Sequence, residues 1–159
     1  MNQTSRVHKL PDEPILVVTN QGVLGAGYYD FRIPCAAIAE ALDAHAMPFA
    51  YLVSDDRGLS IPDFDGFAAV ITDALQNVRG PGSPSDPRIL GGAIVSSHEG
   101  LRIWSDFLGS KDLYNLMMPV FETMDDALAF VRRRIAGETP ATAHLINETE
   151  TTPVNAGRE

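Results

Sequence analysis

The chain has 159 residues, of which 45% are hydrophobic and 21% are charged, and its formal net charge is −9. This length suits one domain with loose ends, and the composition excludes a chain that is disordered throughout. The negative charge argues against nucleic acid and anionic membranes as partners, because both attract surfaces rich in Lys and Arg.

Cysteine usage and hydropathy narrow the class of protein further. Cys35 is the single cysteine, so no intramolecular disulfide can form, and no Cys/His cluster has the spacing of a zinc site. Residues 1–14 are polar and lack the apolar segment of a signal peptide. No apolar run approaches the roughly 20 residues that span a bilayer. We therefore expect a cytoplasmic protein with no metal and no other cofactor.

The first predicted elements are a flexible arm and a hairpin. The arm covers residues 1–14, and the hairpin has strands at 15–19 and 23–29. Its turn is the segment 20–22, Asn-Gln-Gly, which is a typical turn sequence. A helix is predicted to open at Pro34, since proline is tolerated in the first helical turn.

The middle of the chain carries the clearest helical pattern. A nearly continuous apolar run at 49–53 predicts a strand buried on both faces, followed by a polar loop at 54–62. Asp63 is the predicted N-cap of the next helix. Apolar residues then recur at helical spacing, at Phe64, Phe67, Ala68, Ile71, Ala74, Leu75 and Val78.

Two more strand and helix pairs complete the predicted domain. A strand at 89–95 precedes a helix around 101–108. A short strand at 119–122 precedes a last helix, which Thr123 begins as a cap and Gly137 ends.

The predicted order of elements is therefore ββαβαβαβα. Strands that alternate with helices imply an α/β fold with a mostly parallel sheet, to which the first hairpin adds one antiparallel pair. The predicted domain covers residues 15–137. In residues 138–159 the apolar residues do not recur at any regular spacing, which predicts a disordered C-terminal tail.

Three stretches of this pattern are similar to a known family. They are 52–57, a strand that runs into acidic residues; 92–97, a central strand; and 120–128, which opens the last helix. Together with the order of elements, they resemble the STAS family of sulfate transporters and anti-sigma factor antagonists, and more closely its bacterial SpoIIAA-like proteins. The resemblance implies a STAS/SpoIIAA-like fold and a regulatory or scaffold domain that binds a protein partner or a small apolar ligand.

The family's phosphorylation motif, Asp-Ser-Ser-Gly, is only partly matched. The corresponding segment is Asp63-Phe64-Asp65-Gly66, which keeps the outer Asp and Gly and has neither serine. Asp65 occupies the position of the phosphorylated serine. It is either a fixed negative charge in a partner-binding surface or an ordinary residue of the first helical turn, where acidic side chains are favourable.

Two polar segments follow predicted strands and are candidate binding sites. They are Ser54-Asp55-Asp56-Arg57 and Ser96-Ser97-His98-Glu99. Ligands of open α/β sheets bind outside the carboxyl ends of the strands. If the two strands are neighbours, we expect these side chains to face one crevice.

A second function class stays open for this crevice. A small hydrolase would need a nucleophile, a base and an acid. The sequence offers Ser97 (or Ser96), His98 and Asp55 for these three roles. The alternative is that Ser97 caps a helix and His98 lies in its first turn. The pair Asp55-Asp56 lacks the further ligands that a magnesium ion needs.

Overall fold

The computed structural model describes residues 3–25, 27–102 and 118–137. Its strands are β1 (Thr4–Lys9), β2 (Ile15–Val23), β3 (Ala50–Ser60), β4 (Ile89–Val95) and β5 (Val120–Phe121). Its helices are α1 (Arg32–Ala44), α2 (Phe64–Asn77) and α3 (Met124–Gly137). A further helical segment begins at Glu99, and the rest of the predicted helix at 101–108 lies mostly outside the described residues.

The strands form one mixed sheet in the order β1-β2-β3-β4-β5. β1 pairs with β2 in the antiparallel sense, whereas β2, β3, β4 and β5 pair in the parallel sense. The predicted fold class, a mostly parallel α/β sheet with an N-terminal hairpin, is confirmed. β3 and β4 are neighbours, and of the two predicted polar segments the first, at 54–57, lies in β3, whereas the second, at 96–99, follows the end of β4.

The position of the hairpin differs from the prediction. Residues 4–9, predicted as part of a flexible arm, form β1, and the predicted turn at 20–22 lies inside β2. The predicted strand at 23–29 contains only the last residue of β2. The reason is physical: β1 is an edge strand with half of its residues exposed, so it carries almost no apolar alternation.

β3 is longer than predicted and contains a bulge. The segment 54–60 continues the strand instead of forming a loop. Thr19 pairs with Asp55 and Gln21 pairs with Gly58, so two residues of β3 lie opposite one residue of β2. A bulge of this kind shifts the alternation of side chains along the bulged strand by one residue.

The bulge depends on Gly58, where β2 comes very close. A Cβ atom at this position would lie 2.8 Å from the carbonyl oxygen of Asn20 and 2.9 Å from Cγ of Gln21. Both distances are too short for any side chain. Glycine is therefore required for β3 to pass β2 at this point.

The hydrophobic core lies on both faces of the sheet. One face packs against α1 through a cluster that includes Leu16, Val18, Ile38, Leu42, Ala50, Leu52 and Ile89. On the other face, Ile15, Tyr51 and Val53 are almost completely buried. The strands are thus buried on both sides over their apolar halves, as the continuous apolar run of β3 predicts.

Three local structures fix the starts of α2 and α3 and the loop between α2 and β4. The carboxylate of Asp63 accepts a hydrogen bond from the backbone N–H of Gly66, which confirms the predicted N-cap of α2. In the loop, the buried carboxylate of Asp86 accepts from the backbone N–H groups of Gly82 and Arg88 and from the Arg88 guanidinium. At the start of α3, Thr123 Oγ1 accepts from the backbone N–H of Asp126, at 3.1 Å, as predicted.

The chain divides into two compact units, residues 1–128 and 129–159. In the described part of the second unit, the guanidinium of Arg134 lies 5.9 Å from the ring centre of Phe130. The domain boundaries at 15 and 137 stay a prediction, and the predicted tail at 138–159 lies outside the described residues. Within the described ranges, no helix is both long enough and apolar enough to cross a membrane.

Candidate functional site

The two consecutive acidic residues of β3 have separate surroundings. Successive side chains of a strand point to opposite faces, so Asp55 and Asp56 cannot share one crevice. Both carboxylate oxygens of Asp55 accept hydrogen bonds from the Arg57 guanidinium, each at 2.8 Å. This pairing lowers the pKa of Asp55. Asp55 and Arg57 therefore form a local ion pair on one face of β3.

Asp56 lies on the other face and is 91% buried, with a relative exposure of 9%. Its Oδ1 atom accepts from the side-chain amide of Asn20 and from the hydroxyl of Ser54, both at 2.8 Å. Among the described residues, its Oδ2 atom accepts no hydrogen bond. One carboxylate oxygen is thus fully engaged by the protein, while the other is available.

A chain of hydrogen bonds fixes the orientation of the group that holds Asp56. The Ser5 hydroxyl on β1 donates to Oδ1 of Asn20 at 2.7 Å, which leaves the amide N–H groups of Asn20 to point at β3. There the Asn20 amide donates to the Ser54 hydroxyl at 3.1 Å as well as to Asp56. Three adjacent strands therefore contribute to the position of one carboxylate.

The electrostatic setting of Asp56 is unusual for an aspartate. Burial raises its pKa to about 6, although the hydrogen bonds from Asn20 and Ser54 act in the opposite direction. The nearby negative charge of Asp55 raises it further. The pKa of Tyr29 is also raised, chiefly by burial and next by the charge of Asp56. Among the described residues, no cation beside Asp56 balances its charge when it is ionised.

Asp56 forms part of the wall of a partly open cavity of about 200 Å³. The sheet contributes Val18, Asn20, Leu52, Ser54, Asp56, Leu59, Ile89 and Ile94 to the wall. α1 contributes Pro34, Cys35 and Ile38, and α2 contributes Ile71. The bulge explains why Leu59 lies on the same side as Asp56, although the two are three residues apart.

The wall of this cavity is chemically simple. Apart from Asn20, Tyr29, Cys35, Ser54 and Asp56, all described side chains of the wall are apolar. No other described residue of the wall is an aspartate, a glutamate, a lysine or an arginine. The Cys35 thiol has a pKa of about 11, because burial disfavours the thiolate. The cavity therefore combines apolar walls with one carboxylate.

A larger, open groove of about 600 Å³ lies on the surface between α2 and the segment before α1. Tyr28, Arg32, Asp73 and Asn77 line it together with apolar residues. Arg32 is already paired with Asp30, at 2.9 Å. The groove contains none of the predicted site residues.

The predicted serine and histidine lie just beyond the end of β4. Ser96 is buried, and its hydroxyl accepts from the backbone N–H of His98 at 3.1 Å. His98 is exposed, and its Nδ1 accepts from the backbone N–H of Gly100 at 3.1 Å. Ser97 is exposed. These bonds shape a turn into the helical segment at Glu99, where the side chain of His98 accepts at the start of the helix. The structural alternative, with Ser97 as the cap and His98 in the first turn, is therefore wrong in its residues, since His98 precedes the helix and takes the capping position.

Asp65 lies apart from both groups. It is exposed in the first turn of α2, and it does not line the cavity that contains Asp56. Phe64 beside it is also unusually open for an aromatic residue, at 49% exposure. Within the described residues, no group of three or more His, Cys, Asp or Glu side chains could hold a metal ion.

The site that the structure presents was only partly accessible to sequence reasoning. Ser54 and Asp56 belong to the predicted set, whereas Asn20 and Tyr29 do not. Asn20 was assigned to a turn because Asn-Gln-Gly is a common turn sequence. The available signal was a polar residue two positions beyond Val18, on the same face of a buried strand.

The sheet order and the helices define a SpoIIAA-like fold, as predicted. The evidence comes from solved structures, since no model of a known protein family and no curated protein matches the chain.

One solved structure of this fold is an uncharacterised protein of the DUF3478 family from Shewanella loihica PV-4. It has a TM-score of 0.51 and 14% identity, over 82% of this chain and 95% of that protein. An anti-sigma factor antagonist from Mycobacterium paratuberculosis matches with a TM-score of 0.43 and 17% identity, over the same shares of the two chains.

Proposed function

We propose that this domain is a non-enzymatic regulatory or scaffold module that binds a small, mostly apolar ligand in this partly open cavity. The observation that carries the proposal is the wall itself: mostly apolar side chains line about 200 Å³ of space, together with a few polar groups. Binding sites for small molecules have this composition, in which apolar contacts supply affinity and a few polar groups fix the orientation.

The volume of the cavity limits the size of the ligand. Drug-sized ligands occupy sites of about 300 to 1,000 Å³, whereas an apolar cavity of about 150 Å³ holds benzene. A cavity of about 200 Å³ therefore suits a single ring or a short branched chain with one or two further atoms.

The geometry favours binding over hydrolysis. A hydrolase would need His98 to be oriented by Asp55 and to contact a serine hydroxyl. Both oxygens of Asp55 are instead occupied by Arg57, and Nδ1 of His98 accepts from Gly100. These contacts support the binding module and leave the hydrolase as the weaker alternative.

Cys35 offers a direct test, because it is the only cysteine of the chain and lines the cavity. Native mass spectrometry of the full chain, purified under mild conditions, should show an added mass of a small molecule. Removal of that molecule should speed the reaction of Cys35 with a small alkylating reagent, and adding it back should slow the reaction again. A protein without added mass, whose Cys35 reactivity no small apolar compound changes, would contradict the proposal.

A protein partner remains a second candidate function, and the exposed pair Phe64 and Asp65 supports it. We propose that the start of α2 contacts a partner through this aromatic ring and this fixed charge. Asp65→Lys should abolish association with a partner isolated from the native host, while Asp65→Ser should weaken it. Asp125→Lys is the matched control, since it makes the same charge change at an exposed first-turn position of α3. If all three variants associate equally with the partner, the proposal that the start of α2 contacts it is wrong.

A further inference from the structure

The available oxygen of Asp56 indicates what kind of polar group the ligand carries. We propose that the cavity binds a small apolar amine, whose ammonium group donates a hydrogen bond to Oδ2 of Asp56 while its hydrocarbon part contacts the apolar wall. This inference rests on the proposed function and adds the chemical class of the ligand.

The first argument is the distribution of hydrogen bonds around the carboxylate. Asn20 and Ser54 both donate to Oδ1, and no described residue donates to Oδ2. A buried acceptor without a donor is costly, and a buried carboxylate more so. A ligand that brings a donor to Oδ2 removes this cost, so the site selects for donors over acceptors.

The second argument is charge. Asp56 is the one aspartate, glutamate, lysine or arginine in the described wall, and no lysine or arginine is there to compensate it. A hydrogen bond between an ammonium and a carboxylate is roughly twice as strong as one between neutral groups. An anionic ligand would meet like charge in an apolar site. A cationic ligand is therefore favoured over a neutral one, and a neutral one over an anion.

The third argument is preorganisation. The carboxylate is held by a side chain from β2, which Ser5 of β1 orients in turn. The two donors to Asp56, Asn20 and Ser54, lie in strands β2 and β3, so the position of Oδ2 changes little when a ligand binds. A polar group held in this way gives affinity without a large loss of side-chain entropy.

The surroundings of Asp56 also predict how binding depends on pH. The ionisable groups near it are Tyr29 before α1, Cys35 on α1, and Asp55 on β3, whereas α2 and β4 contribute apolar side chains. The pKa values of Tyr29 and Cys35 are raised, so both are neutral at pH 7. Protonation of Asp56, with a pKa of about 6, is then the step that weakens binding of an amine as the pH falls.

Benzylamine and benzyl alcohol form a suitable pair of probes. They have nearly the same size and shape, and benzylamine stays an ammonium across the pH range of the experiment. Calorimetric titration of the full chain at about pH 7.5 should show benzylamine binding about 10-fold more tightly than benzyl alcohol, a difference of about 1.4 kcal/mol. Asp56→Asn should reduce the ratio to about 1, because the amide keeps the acceptor for Asn20 and Ser54 but loses the charge.

Asp55→Asn is the matched control, since it changes the neighbouring carboxylate on the opposite face and should leave the ratio unchanged. If Asp56→Asn does not fold, the pH profile of the wild-type protein replaces it: the ratio should fall towards 1 below about pH 6, as Asp56 is protonated. Equal binding of both probes at every pH would overturn the amine inference and leave the cavity as a ligand site. If neither probe binds nor slows the alkylation of Cys35, the amine inference and a cavity open to ligands of this size are both overturned.

Discussion

Asp55 and Asp56 are consecutive in the chain, yet their carboxylates are in opposite electrostatic states. The pKa of Asp55 is lowered by the guanidinium of Arg57, whereas the pKa of Asp56 is raised to about 6 by burial. The alternation of side chains along β3 produces this difference, because it turns one carboxylate towards a cation and the other into an apolar cavity. The sheet thus separates a structural ion pair from a candidate binding group.

The stability of the protein should depend on Asp56 in a defined pH range. A carboxyl whose pKa is higher in the folded state stabilises that state at low pH, and this contribution is lost as the pH rises through the folded-state pKa. For Asp56 the range runs from its ordinary value of 3.8 up to about 6. Relative to Asp56→Asn, wild-type protein should lose up to about 3 kcal/mol of unfolding free energy across this range.

Urea unfolding of both proteins at several pH values measures this difference. Asp86, with a pKa of about 2, changes the unfolding free energy in the opposite sense at acid pH. Because both proteins contain Asp86, the difference between them isolates the effect of Asp56. Parallel stability curves for wild type and Asp56→Asn would show that Asp56 has an ordinary pKa.

The partly open cavity predicts that the protein tolerates a larger side chain on the cavity wall. Leu59→Phe adds volume on the cavity wall, where there is space to receive it, so it should cost less than the roughly 1–3 kcal/mol of typical overpacking. The same substitution should prevent small apolar compounds from protecting Cys35 against alkylation. Leu90→Phe is the control, because Leu90 is on β4 and 37% exposed, outside the cavity wall. Protection that survives Leu59→Phe would contradict the assigned cavity.

The loop between α2 and β4 should depend on Asp86. Its carboxylate accepts from two backbone N–H groups, so Asp86→Ala leaves donors without a partner in a buried place. We expect a loss of about 1–3 kcal/mol of unfolding free energy. Asp43→Ala removes the other carboxylate that contacts Arg88, but Asp43 is exposed, and its loss should be a small fraction of that amount. Denaturant unfolding measures the loss of unfolding free energy for both variants. Equal losses for Asp86→Ala and Asp43→Ala would contradict this prediction.

The N-cap of α2 offers a third stability comparison. Asp63→Ala removes the side chain that accepts from the N–H of Gly66, which should cost about 1 kcal/mol. Asp65→Ala removes a charge in the same turn without removing a cap, so it should cost less. Thermal unfolding followed by circular dichroism compares the two, and a larger effect at Asp65 than at Asp63 would be the contrary result.

From α1 onwards, the described elements follow the order that the sequence predicts, and the reason is local chemistry. The cap at Asp63 and the apolar runs of β3 and β4 are signals within a few residues of each other. β1 was missed because its edge position requires no apolar alternation. The cavity was missed for another reason: its wall joins Asn20, Ser54 and Cys35 from separate elements, and the bulge that moves Leu59 to the same side depends on the pairing register.

β1 also affects how the protein behaves in the presence of its own copies. It is an outer strand of the described sheet, and a strand edge without a neighbour is a template for the addition of another strand. Arg6 and His8 are exposed on this strand, and Lys9 ends it. If two copies met edge to edge, the positive charges of Arg6 and Lys9 would lie at the contact, and natural sheets use charged edges in this way to resist aggregation. In a chain of net charge −9, this short segment therefore places positive charge along one of the two edges of the described sheet.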